Sequence, residues 1–374
     1  MKAAVRDDMV PHVLLCLLNV NLKAVSFVKA TLTVTINFKR SRLLLFALFA
    51  TVALLTASLR AEEKPSAKND DADPFIVVLL PDTQFYSEKF PESYIAQTMW
   101  IRRRAAADRM KFAIHLGDIV QNADVEEEWK NAARAMEIID GVLPYSMVPG
   151  NHDMSGSKGG LTRKTPLYNR YFPPSRYANR PWYGGHMGET NDNNYCYFEG
   201  GGMKFMVVSL EFAPRDEALA WAADVADKHP NRHVIVATHN YLRPDGRDTT
   251  APKSYRIVGN SGEQMWRKLI RKHNNIFMVV SGHVLGVGLQ TSINDNGGKV
   301  VEILTDYQGL KDGGTAWLRT LRFVPQERKI QVDVYSPLLK KYNKKPEQTY
   351  TLDFPKRLRP AKKQRPAKKK TAAP

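Results

Sequence analysis

Cysteine is almost missing from this chain: 374 residues contain two, Cys16 and Cys196. A disulfide framework is therefore excluded as the source of the fold, and a body of this size can bury an adequate core without one. Cys196 lies in the strand-like run Tyr195–Phe198 and reads as a small buried apolar residue rather than a reactive thiol. Long apolar runs are missing as well. The stretch Leu43–Leu55 would extend roughly 20 Å as a helix, short of the roughly 30 Å hydrocarbon core of a bilayer. No internal repeat is present.

Net charge is missing from the region where a nucleic-acid binder would carry it. The formal charge of +17 resides in the two ends: residues 1–61 hold 8 basic and 2 acidic side chains, and residues 340–374 hold 13 and 2. Residues 62–339 are neutral, so specific nucleic-acid binding is not expected of the body.

The ends carry their own signals. Lys39, Arg40 and Arg42, then Leu43–Leu55, then the small-residue segment Thr56–Ala61 follow the order of a secretory signal peptide. Cleavage is expected after Ala61, giving a secreted or periplasmic protein, with an uncleaved N-terminal anchor as the secondary expectation. Met1–Phe38 has no clear fold, and translation is expected to start nearer Lys39. Residues 1–61 are thus read as extension and signal, 62–73 as a polar linker, 74–339 as the folded domain, and 340–374 as a disordered basic tail. Within the tail, Pro355–Pro374 holds nine basic residues and no acid, too little apolar material for a core. Its charge suits contact with anionic envelope polymers.

In the body, strand-like runs Phe75–Leu80, Phe112–Leu116 and Tyr145–Val148 alternate with helical patterns over Glu92–Arg109 and Val125–Ile139. That alternation predicts α/β layering with a largely parallel sheet. His233–Thr238 and Phe277–Ser281 continue it, with helices over Asp216–Lys228 and Glu263–Lys272. From Val287 to Tyr335 a meander of strands predicts a second sheet packed on the first. Ser155–Asn194 breaks the rhythm and reads as a functional lid or rim. Its Trp182 and Tyr183 either line a cleft or anchor the loop, and His186 is placed on the rim.

Each of five apolar runs ends in a polar cluster: Asp82-Thr83-Gln84, Gly117-Asp118, Gly150-Asn151-His152-Asp153, His239-Asn240 and Gly282-His283. Ligands of α/β proteins gather at the carboxyl ends of strands, so these clusters can converge on one point. Carboxylates, an Asn carbonyl and imidazoles together form a metal site, and the mixed oxygen and nitrogen donors suit Zn, Mn or Fe. Two ions roughly 3.5–4 Å apart would suit phosphoester hydrolysis. His115, inside Ile114–Leu116, reads as a packed strand residue. Arg243, near His239, has the planar fork to meet a phosphate, though a solvated loop arginine is the more ordinary reading of such a position.

The five clusters, in this order and on these strands, resemble the motif series of the calcineurin-like metallophosphoesterases across Phe75 to Leu285. The resemblance implies a four-layer αββα sandwich of two mixed β-sheets flanked by helices, with the metal site at the strand ends. It further implies that Asp118 bridges two ions, that Asn151, His239 and His283 complete one, and that Asp82 binds the other. By the same resemblance His152 protonates or steadies the leaving oxygen, Asn151 touches both metal and phosphate, and a metal-bound hydroxide attacks phosphorus. Asp153 is assigned to orienting the turn or His152.

Two positions depart from the family pattern. Gln84 stands where Asp-x-His has its histidine, and Leu285 stands where Gly-His-x-His has its second. Both losses fall on the same metal, so one tight ion and a second, weaker, oxygen-rich position are expected, the latter using Asp82, Asp118 and the Gln84 carbonyl. Asp306, Tyr307 or Gln308 are candidates for a replacement ligand. The function expected is an exported metal-dependent phosphoesterase. The alternative is a catalytically impaired metal-containing binding protein tethered to envelope polymers by its tail.

Overall fold

The computed structural model describes residues 73–354, apart from residues 158 and 159. The signal, most of the linker and the tail from residue 355 lie outside the described residues. Two seven-stranded sheets pack face to face. The first contains β1 (Phe75–Leu80), β2 (Met110–His115) and β3 (Tyr145–Ser146), which run parallel. It is extended by β15 (Leu318–Val324), β16 (Lys329–Ser336), β17 (Lys341–Tyr342) and β18 (Tyr350–Asp353), all in antiparallel pairings. In the second, β8 (Met203–Leu210), β9 (His233–Thr238), β12 (Ile276–Ser281) and β14 (Lys299–Asp306) are parallel neighbours. Antiparallel strands close its two edges: β13 (Gly286–Ile293) on one side, β7 (Asn194–Gly200) and β6 (Tyr183–His186) on the other.

Each sheet therefore draws on both halves of the chain. The meander after Val287 does not form a separate sheet as expected. β13 and β14 join the strands before them, and β15–β18 return to β1. Hydropathy marks these segments as strands but says nothing of which edge they pair with.

Alternation within the strands accounts for the layering. Ile76, Val78 and Leu80 of β1 pack with Trp129, Ala132 and Met136, while Phe75, Val77 and Leu79 meet Phe205, Val207 and Ile235 across the sheet interface. The opposite face of the second sheet packs Met206, Val208, Val234 and Val236 against Leu219, Ala222 and Val225. Strands apolar on both faces are the expected signature of sheets covered on both sides. The result is helix, sheet, sheet, helix: the four-layer αββα sandwich.

The outer helices have ordinary local causes. α3 (Glu126–Glu137) starts with three glutamates, which favour the positive end of the helix dipole. α6 (Asp216–Lys228) starts with Asp216 and Glu217, and α8 (Gly262–Lys268) with a Ser261–Gln264 capping box. The remaining helices are α1 (Gln84–Glu88), α2 (Pro91–Arg104), α4 (Pro166–Tyr171), α5 (Pro174–Tyr177) and α7 (Ala251–Ser254). α2 stops short of the expected Arg109, because the chain turns there with Arg109 at φ +53. The connections also hold two small hairpins, β4–β5 (Ser155–Ser157, Gly160–Lys164) and β10–β11 (Leu242–Arg243, Gly246–Arg247). Residues 155–194 thus carry two strands of a hairpin, two short helices and β6, rather than one irregular loop. Among the described residues no helix is long and apolar enough to cross a membrane.

The folded body also runs past residue 339, which corrects the expected domain boundary. β18 pairs with β16 from Lys329↔Asp353 to Val332↔Tyr350, and Phe354 is 4 % exposed among Phe205, Phe277 and Phe323. The high lysine content of this stretch masked the alternation Tyr350, Leu352, Phe354. A chain ended after residue 339 loses this packing, worth about 3–5 kcal/mol for the phenylalanine alone. Its melting temperature should fall by roughly 6–15 °C, while a chain ended after Phe354 melts like the full protein; equal melting of all three by circular dichroism would contradict the assignment.

Candidate metal centre

Six strand ends meet at one edge of the sandwich. β1 delivers Asp82, β2 Asp118, β3 Asn151, β9 His239, β12 His283 and β14 Asp306. The approach is close enough to require glycine. At Gly150 a Cβ would overlap the Asp118 carboxylate, and at Gly282 it would overlap that of Asp82. Asp82, Asp118 and His283 themselves adopt φ of +32, +48 and +72, a region non-glycine residues enter at a cost of about 1–3 kcal/mol.

The ligating atoms of Asp118, His239 and His283 lie within 4.8 Å of one another. His239 Nδ1 donates to the Leu116 carbonyl at 2.9 Å, which fixes the tautomer and leaves Nε2 with its lone pair. Around Nε2 stand Asp118 Oδ1 at 3.1 Å, Asn151 Oδ1 at 3.2 Å and His283 Nδ1 at 3.2 Å. Lone pairs converging in this way repel one another unless they share a cation. The donors are two imidazole nitrogens, a carboxylate and a carboxamide oxygen, a set that fits a borderline divalent ion.

The second side of the centre is richer in oxygen. Asp82 Oδ1 accepts the His283 N–H at 2.9 Å, while Asp82 Oδ2 and Gln84 Oε1 are buried with no hydrogen-bond partner among the described residues. Gln84 Nε2 reaches Asp118 Oδ2 at 3.2 Å and also binds Gln308 Oε1. Buried acceptors without donors are rare in folded proteins, and a cation is the partner their chemistry suits.

Electrostatics agree with the geometry. Burial, followed by the nearby Asp306 and Asp118 carboxylates, pushes Asp82 well above the ordinary carboxylate range. Burial also raises Asp306, to about 6, against hydrogen bonds from Gln308. For Asp118, burial is overcome by the imidazoles of His239 and His152, which hold it well below the usual range. Burial, followed by the neighbouring His239 imidazole, lowers His283 to about 3, so it is neutral and able to ligate. A bound divalent ion supplies the countercharge such a cluster lacks.

Supporting residues hold the ligand loops. Asp153 accepts from the N–H groups of Ile119 at 2.9 Å, Val120 at 3.0 Å and Gly150 at 2.7 Å. It orients the turn rather than His152, whose Nδ1 donates to the Gln121 carbonyl at 2.8 Å. His115 is buried, as the sequence predicts, with Nδ1 accepting from Gly117 N–H at 3.2 Å and Nε2 bonded to Thr83 Oγ1 at 2.9 Å. It braces two ligand loops at once.

A cleft of about 860 Å³ opens beside Asn151 and His152, lined also by Asn122, Asp124, Tyr255 and Arg256. Arg243 is not among the residues lining this cleft. Its guanidinium faces Asp245 and Asp248 at 3.7 and 3.8 Å. Arg256, 13 residues beyond Arg243 on the same connection, does line the cleft, and no local signal in the sequence marks it. Tyr255 was likewise missed: its hydroxyl lies 3.4 Å from His283 Nε2. Trp182 and Tyr183 pack on Tyr145 and Tyr177 and anchor their segment. His186 lies beside Tyr183 on β6, half-buried. Cys196 is buried, and burial raises its thiol pKa, as befits an unreactive core residue.

An αββα sandwich with carboxylates, a carboxamide and imidazoles gathered at the ends of both sheets defines a metallophosphoesterase. The family model described as calcineurin-like phosphoesterase matches residues 77–286, and the chain belongs to that family. It is 32% identical over 296 residues to the uncharacterized protein YvnB of Bacillus subtilis (strain 168), a match covering 77% of this chain. The chain spans 22% of the length of that relative. Among solved structures it is similar to purple acid phosphatase PPD1 from yellow lupin seeds, with TM-score 0.46 and 11% identity over 76% of this chain and 54% of that one. It is also similar to GAP50, the anchor in the inner membrane complex of Plasmodium, with TM-score 0.42 and 14% identity over 75% and 88% of the two chains.

Asp153→Ala would strand three buried N–H donors, at about 1–3 kcal/mol each. Urea unfolding of metal-free protein should show a loss of several kcal/mol in total; an unchanged midpoint would remove the bracing role assigned to this carboxylate.

Proposed function

We propose that this protein hydrolyses a phosphate ester at the centre formed by Asp118, Asn151, His239 and His283. The observation that carries the reading is the convergence of Asp118 Oδ1, Asn151 Oδ1 and His283 Nδ1 on the His239 Nε2 lone pair. Divalent ions bound there would polarise a phosphoryl oxygen and make water acidic enough to yield a nucleophile near neutral pH. The chain's own groups do the rest. Asn151 stands between the centre and the cleft, placed to hold a phosphoryl oxygen. His152, with Nδ1 committed to Gln121, has Nε2 left to pass a proton to the leaving oxygen. Arg256, exposed on the cleft wall, offers a cation to the ester. Zn, Mn or Fe suits the nitrogen-bearing position.

Turnover of aryl phosphate monoesters and diesters tests this directly. Activity should vanish on chelation and return with a divalent metal. Asp118→Ala and Asn151→Ala should abolish it, and His152→Ala should lower kcat by about 10²–10⁴. The absence of histidine at Gln84 and Leu285 favours a second reading, a metal-containing binding protein that does not turn over. A metal-loaded protein inert toward every ester, yet retaining its ions, would select that reading.

Export belongs to the same proposal and rests on residues 39–61, outside the described residues. Amino-terminal sequencing of protein recovered from the cell exterior or periplasm should begin at Glu62; a chain starting upstream of residue 43 and held in the membrane would point to an anchor.

A further inference from the structure

The ladder between β13 and β14 sets Asp306 opposite Gly286. Position 285, where the family motif has its second histidine, is therefore a neighbour of the end of β14. Leu285 is 60 % exposed, has no ligating atom and lies against Gly309. On that same edge Asp306 is 1 % exposed and carries two hydrogen bonds from Gln308: N–H to Oδ1 at 2.8 Å and Nε2 to Oδ2 at 2.9 Å. Gln308 Oε1 in turn binds Gln84 Nε2, which reaches Asp118 Oδ2 at 3.2 Å. A continuous polar chain Asp118–Gln84–Gln308–Asp306 thus runs along the side of the centre that lacks both histidines. Two buried acceptors beside it, Asp82 Oδ2 and Gln84 Oε1, have no hydrogen-bond partner among the described residues.

We infer that Asp306 replaces the missing histidine from across the ladder, and that with Asp82, Asp118 and Gln84 it forms an all-oxygen second metal position whose carboxamide is oriented by Gln308. Hard oxygen donors without nitrogen select Mn²⁺ or Mg²⁺ over Zn²⁺. The protein would then carry two unlike ions: a borderline one at His239 and His283, and a hard, more weakly held one at the carboxylates. Gln84 is suited to both its bonds and its ligand role, because Nε2 makes the bonds to Gln308 and Asp118 while Oε1 stays free to ligate. The assignment rests on the metal-dependent reading of this centre proposed above, but concerns which ions bind rather than what they turn over.

Calorimetric titration of the metal-stripped full chain with Zn²⁺ and Mn²⁺, with metal content counted by mass spectrometry, tests it. Wild type should take one tight Zn²⁺ and, on top of it, one weaker Mn²⁺. Asp306→Asn, close in shape, should weaken the Mn²⁺ step by about 10- to 100-fold and leave the Zn²⁺ step intact. His283→Ala should do the reverse. Gln308→Leu provides a second variant should Asp306→Asn fold poorly, and Leu285→His should raise the tight Zn²⁺ stoichiometry from one to two. A wild type with two equally tight Zn²⁺ sites, a wild type with a single site of any kind, or an Mn²⁺ step indifferent to both Asp306→Asn and Gln308→Leu would overturn the assignment. Absence of turnover with both ions bound would sink the hydrolase reading and leave this one standing.

Discussion

Asp118 lies at the edge where strand ends of both sheets meet, and the centre is organised around its carboxylate. One oxygen receives the His152 N–H at 2.9 Å and faces His239 Nε2 at 3.1 Å; the other meets Gln84 Nε2 at 3.2 Å. To be there, the residue adopts a left-handed backbone, and Gly150 opposite it has no room for a side chain. Strain of this kind persists only where the surroundings over-determine it. Here the three N–H bonds to Asp153 fix both the loop after β2 and the loop after β3, so Asp118 and Asn151 are held as one unit.

The sandwich makes that arrangement durable. Each sheet contributes three strand ends to the centre, and the apolar layer between the sheets sets their separation. Phe75, Phe198, Phe205 and Phe323 stack in that layer, remote from the polar edge. Displacing one sheet relative to the other would separate Asp82, Asp118 and Asn151 from His239, His283 and Asp306. Core packing is therefore what keeps oxygen and nitrogen donors within reach of a single ion. The same burial holds His283 neutral and raises Asp82 and Asp306, whose charged forms therefore call for a countercharge that a bound cation would supply.

Much of this was legible in the sequence because it is local. Apolar runs buried on both faces read as strands, and Asp82, Asp118, Asn151, His239 and His283 each follow such a run directly. Position relative to a strand end is a short-range property. Nearness in sequence to His239 says nothing about where a hairpin turns its side chains, and two aspartates on the same connection face Arg243. Residues 341–354 failed because a lysine-rich composition hid a short alternating strand. The meander after Val287 was seen as strands, but its division between two sheets was not, since pairing partners lie far apart along the chain.

The sequence by itself determined the layer type, the ligand inventory and the loss of two histidines at Gln84 and Leu285. Periodicity and residue chemistry are written residue by residue, so they need no partner to be read. Only the tertiary structure decided which donors face one another, that Arg256 and not Arg243 lines the cleft, and that Asp306 stands across the ladder from Gly286. Those outcomes depend on register and on the contact between two sheets, and a single strand carries no record of either.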